Sequence, residues 1–116
     1  MKRKAILLLT AIMLVLGNVM MNVFAYNTSS QDYIGHKYNN SSQDKTAYIH
    51  LTPSGGVAKA QIRDYDGNVL ASQVYPVYPP NTHNAEATCS GYTSCYFYVL
   101  SVDGNQAWGS QSWGLR

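Results

Sequence analysis

Beyond Lys45 the chain alternates apolar and polar residues with a period of two, and this alternation limits the folds open to it more than any other feature. Within Thr46–Thr52, Ala47, Ile49 and Leu51 fall on one side of an extended backbone, and Tyr48 and His50 on the other. Val57–Asp64 repeats the pattern, with Ala58, Ala60 and Ile62 inward and Lys59, Gln61 and Arg63 outward. An amphipathic helix needs a period of about 3.6 residues. No stretch after Ala25 sustains one.

Turn signals divide the alternating region into strands. Pro53-Ser54-Gly55-Gly56 predicts a turn. Asp66-Gly67-Asn68 predicts a tight hairpin, because such turns need positive φ and these residues tolerate it. Val69–Tyr75 is then the returning strand, stopped by Pro76, Pro79 and Pro80, which have no N–H for a ladder. Asn81–Asn84 reads as loop. Cys95–Val102 is apolar on both sides, Phe97 and Val99 against Tyr96, Tyr98 and Leu100, which predicts a central strand. Asp103-Gly104-Asn105 repeats the earlier turn, and Ala107–Leu115 makes a last strand. Short strands punctuated in this way predict an all-β fold, a small antiparallel β-sandwich of about 5–7 strands.

The N-terminus follows another logic. Lys2, Arg3 and Lys4 precede the apolar run Ala5–Leu16, then Gly17, Asn18 and a Val23-Phe24-Ala25 end. This is the pattern of a secretory signal, expected to be helical and to be cut after Ala25. A membrane-spanning helix wants about 20 mostly apolar residues, and Asn18 and Asn22 interrupt this run. The expectation is therefore a secreted, extracellular protein with no stable membrane anchor. Three parts follow: a signal peptide over residues 1–25, a polar Ser/Asn-rich segment over 26–44, and a β-sandwich domain over 45–116. The polar segment echoes itself, Asn27–Asp32 against Asn39–Asp44, and reads either as a flexible leader or as one strand over Tyr33–Tyr38.

The formal net charge of +2 belongs to the export segment. After the cut Lys37, Lys45, Lys59, Arg63 and Arg116 remain against all six acidic residues, which leaves no basic stripe for phosphates and argues against nucleic acid as a partner. Both cysteines, Cys89 and Cys95, lie in the mature part. In an oxidising compartment their default state is one disulfide, a staple useful to a domain with a small core. The spacing is not Cys-x-x-Cys, and a zinc site would need His83 and Glu86 to join the pair, which nothing in the spacing demands.

Candidate functional residues are few. All ten tyrosines and both tryptophans follow the expected cut. High β-propensity accounts for tyrosines scattered through every strand, whereas exposed rings are surfaces for ligands. Tyr75 and Tyr78, held extended by prolines, with Trp108 and Trp113, are the expected binding residues. Asp64, Asp66 and Asn68 have the oxygen spacing of a calcium loop, but Val69 and Tyr75 stand where its glycine and glutamate belong. They are weak metal candidates, and no cofactor is expected. His36, His50 and His83 have no nucleophile elbow to serve, and Glu86 is the sole glutamate. The chain reads as non-catalytic.

Thr46-Ala47-Tyr48-Ile49 and the ending Gly109-Ser110-Gln111-Ser112-Trp113-Gly114 resemble pieces of small secreted Gram-positive proteins of unknown function, over residues 45–116. Some of those proteins sit beside bacteriocin-type export systems, so the resemblance implies an antibacterial or envelope role and supplies no catalytic residue. Three expectations follow. The first is a secreted binding protein for an unknown extracellular ligand (a glycan, an envelope component or a protein), and the alternative is a bacteriocin-like antibacterial protein. A matrix role, with tyrosine-rich sheets assembling through exposed edges, is a third.

Overall fold

The computed structural model describes residues 23–116, so residues 1–22 of the signal peptide expected over 1–25 lie outside the described residues. Eight strands follow in order: β1 (Val23–Thr28), β2 (Gln31–Tyr38), β3 (Lys45–Gly55), β4 (Ala58–Arg63), β5 (Val69–Tyr75), β6 (Ala85–Cys89), β7 (Ser94–Ser101) and β8 (Ala107–Leu115). They form two four-stranded sheets, β1-β8-β3-β6 (sheet I) and β2-β7-β4-β5 (sheet II). All strand pairs are antiparallel. No helix occurs among the described residues. Only the β4–β5 connection joins neighbours in one sheet, and every other connection crosses between sheets. This strand order is jelly-roll topology, two Greek keys folded face to face.

The core follows from the alternation. Ala47, Ile49 and Leu51 of β3, Ala58, Ala60 and Ile62 of β4, and Phe97 and Val99 of β7 are all buried between the sheets. Burying large aliphatic or aromatic side chains contributes about 1.5–3 kcal/mol each, enough to fix which face of each strand points inward. β7 lies between β2 and β4, as its apolar character on both sides implies.

Four local features depart from expectation. Residues 26–44 carry half of β1 and all of β2, which pair with β8 and β7. β1 also includes Val23, Phe24 and Ala25, opposite Ser112, Gln111 and Ser110. The turn expected at Pro53–Gly56 is shorter, because β3 runs on to Gly55 through a bulge beside Pro53. Pro53 is tolerated there because β3 pairs with β6 only as far as Ile49, so beyond that point β8 alone flanks it. β6, Ala-Glu-Ala-Thr-Cys, carries too little apolar bulk to announce itself as a strand.

The two cysteines stand near each other without the expected bond between them. Cys89 and Cys95 are both free thiols, buried at the end of β6 in sheet I and the start of β7 in sheet II. They lie close together because Ser90–Thr93 turns directly from one sheet to the other. Burial, and then a hydrogen bond with Cys89, push the Cys95 thiol up to about 12. It is protonated at neutral pH.

Candidate ligand-binding face

The outer face of sheet II gathers aromatic rings that lie far apart in sequence. On β7, Tyr96 and Tyr98 occupy the outward positions between the inward Cys95, Phe97 and Val99. On β2 a bulge between Tyr33 and Gly35 inserts one residue, so Tyr33 pairs with Tyr98 and His36 with Tyr96. The bulge turns both Tyr33 and His36 outward, and Tyr33 Oη lies 2.8 Å from His36 Nδ1. Tyr65, 83% exposed, follows β4 and extends the cluster. Ring centroids are 5.4 Å apart for Tyr33–Tyr98, 5.4 Å for His36–Tyr96, 6.4 Å for Tyr33–Tyr96 and 6.3 Å for Tyr65–Tyr96.

Arg63 borders this platform. Its guanidinium lies 4.0 Å from the centre of the Tyr98 ring, a cation–π contact. It donates to Gln61 Oε1 from Nε at 3.0 Å and from a terminal nitrogen at 2.7 Å, and to Gln31 Oε1 at 3.0 Å. These contacts fix a planar cation beside exposed phenols. Burial, then the neighbouring Tyr96 and Tyr98 phenols, hold the Tyr33 phenol above its ordinary range. It stays a neutral donor and acceptor at physiological pH. Together the face offers apolar ring surface rimmed by hydroxyl, amide and guanidinium groups.

The binding residues expected from sequence do not meet. Tyr75 is a correction, because it is 0% exposed. It stands opposite Ala58 on the inner face, where the small side chains of Ala58 and Ala60 leave room for a phenol. Its hydroxyl donates to His83 O at 2.6 Å, with Ile49 O at 3.3 Å. Tyr78 is 86% exposed, in the β5–β6 connection. Trp108 and Trp113 point to opposite sides of β8: Trp108 lies across Gly55 and is partly exposed, while Trp113 packs inward on Phe97 at 4.9 Å.

Asp64 and Asn68 belong to a turn. The Asp64 carboxylate accepts from Asn68 N at 2.9 Å and Asn68 Nδ2 at 3.1 Å, and its backbone carbonyl accepts from Gly67 N at 3.0 Å. The Asn68 side chain first, and then its N–H, hold the Asp64 carboxyl below its usual value. Among the described residues no group of three His, Cys, Asp or Glu side chains is arranged to hold a metal ion, with Asp66 adding nothing to that count.

Sequence reasoning missed the platform although half its signal was present. Alternation alone puts Tyr96 and Tyr98 on one outward side of β7. What it lacks is the neighbour relation, since β2 and β7 pair across more than half the chain. No protein-family model matches the chain, and no curated protein matches it in sequence.

Proposed function

We propose that the protein is exported, loses residues 1–25, and acts outside the cell as a non-catalytic β-sandwich that binds a glycan on the outer face of sheet II. One observation carries the reading: Tyr33, Tyr65, Tyr96 and Tyr98 form a continuous ring surface with Arg63 fixed at its border. Sugar rings present a C–H face and a rim of hydroxyls, and tyrosines meet both with an apolar body and a polar tip. The jelly roll lends weight only by analogy, since the same topology serves lectin domains among other uses. In the same compartment Cys89 and Cys95 close into a disulfide that ties sheet I to sheet II at their shared end.

The test is retention of the purified protein on insoluble polysaccharides such as peptidoglycan, chitin and cellulose. Retention by one of them is expected, with Tyr96→Ala and Tyr98→Ala each weakening it by about 3–10-fold. A protein that binds none of these polymers but inhibits the growth of related bacteria would replace this reading with the antibacterial one.

A further inference from the structure

Arg63 is a cation held in place by uncharged groups. The ion pair present among the described residues joins Arg116 to Glu86 instead. From β4 the Arg63 side chain lies over the Tyr98 ring of β7, 4.0 Å from its centre, and reaches Gln31 of β2 on the far side. A guanidinium has five N–H donors. Three of them, on Nε and one terminal nitrogen, go to the Gln61 and Gln31 amide oxygens. The two on the other terminal nitrogen have no acceptor among the described residues.

The face around it has one sign of charge. Of the Lys, Arg, Asp and Glu side chains, Lys59 and Arg63 take outward positions on sheet II, both on β4, and no carboxylate does. Asp32 and Lys37 stand opposite the buried Val99 and Cys95 and so face the other way. Asp64 and Asp66 lie past Arg63 in the β4–β5 turn, where the Asp64 carboxylate is taken by Asn68. A mobile surface arginine must lose side-chain freedom to hold a ligand, whereas this one has lost it on folding. Its free nitrogen offers charge-assisted hydrogen bonds, which an anionic oxygen accepts more strongly than a hydroxyl does.

We infer that the glycan bound on the outer face of sheet II is acidic, a polysaccharide whose sugars carry carboxylates, with Arg63 pairing one carboxylate beside the ring that lies on Tyr33 and Tyr96. The inference rests on the glycan reading of the same face and adds the charge class of the ligand. Lys59, on the same side of β4, supplies a second cation for a neighbouring carboxylate of the polymer. Nucleic acid also combines flat rings with negative charge, but it carries a phosphate at every nucleotide, and two cations neutralise too few of them.

The test is calorimetric titration of the exported protein with oligoglucuronate and oligogalacturonate, each beside its methyl ester, which keeps the chain and removes the charge. One acid is expected to bind at least about tenfold more tightly than its ester, with the advantage shrinking as salt rises. Arg63→Gln should bring the acid down to the level of the ester and leave the ester within about twofold of its parent affinity. Gln31→Met, at an exposed position, keeps the cation but releases it from one tether. It should weaken the acid by about threefold and spare the ester, a readout that remains if Arg63→Gln fails to fold. Tyr96→Ala should weaken acid and ester alike, since it removes ring surface and no charge. Equal affinities for acid and ester, both lowered by Tyr96→Ala, would overturn the inference and leave the glycan reading standing. Failure to bind either acid would also overturn it, and retention on insoluble polysaccharides then decides whether the glycan reading survives. Tighter binding of oligodeoxythymidylate than of either acid would overturn it in favour of nucleic acid.

Discussion

Tyr75 shows how one side chain couples the core to pH. Burial pushes its phenol up to about 12, against an ordinary value of 10. A raised folded value means that the folded chain holds the proton more tightly than the unfolded one. The associated stability is complete below the unfolded value of 10 and is lost as pH climbs through about 12. Tyr75→Phe should therefore lower stability at neutral pH by about 1–2 kcal/mol, through the lost hydrogen bonds to His83 and Ile49 carbonyls. It should also flatten the alkaline loss, which urea melts at neutral and alkaline pH would measure. Asn39 acts differently, because its fully buried amide donates to Gln43 O at 2.7 Å and Cys89 O at 2.9 Å while accepting from Ser41 Oγ at 2.7 Å. Asn39→Ala strands buried partners and should cost about 2–3 kcal/mol by the same melts. Nothing in the residue order marks Asn39, because beside its near neighbours Ser41 and Gln43 the third partner, the Cys89 carbonyl, comes from the far end of β6. Tyr75 was misplaced for a related reason: the prolines after it suggested an exposed segment, and the room beside Ala58 and Ala60 appears only once β4 and β5 pair.

Among elements, the two Asp-Gly-Asn turns are instructive. Gly67 and Gly104 both have positive φ, 86° and 79°. Each turn is closed by its aspartate, Asp64 capping Asn68 N and Asp103 capping Asn105 N, both at 2.9 Å. Yet the first joins neighbours β4 and β5, and the second carries the chain from β7 in one sheet to β8 in the other. Local chemistry sets the turn, while the direction of departure depends on which inner faces need covering. A Cβ added at either glycine meets nothing within 4 Å, so only backbone strain is at stake. Gly67→Ala and Gly104→Ala should each cost about 1 kcal/mol, despite their different places in the topology, by denaturant unfolding. For the same reason the strands of the alternating stretches were legible, while β1, β6 and the strand order were not. Ala47, Ile49, Leu51, Ile62 and Phe97 declare their faces by alternation, whereas the partnership of β2 with β7 requires the closed sandwich. The platform is a property of that partnership.

For the whole molecule, the two sheets are held by their shared core and, at one end, by the turn from Cys89 to Cys95. Closing the proposed disulfide there should add about 2 kcal/mol by restricting so short a loop in the unfolded chain. Intact mass of the exported protein is expected to match a chain beginning at Tyr26 and lacking two hydrogens, and reductant should lower its Tm. A mass retaining Met1 would contradict the cut, and two thiols titrating in the native exported protein would contradict the disulfide.

Val23, Phe24 and Ala25 lie in β1 against β8, so the bond after Ala25 is laced into a sheet once the domain has formed. Proteases act on loose, extended chain, and a bond held in a ladder is shielded from them. The proposed cut after Ala25 is therefore expected to fall before the domain collapses, and a chain that folds first should keep residues 1–25 and shield the bond.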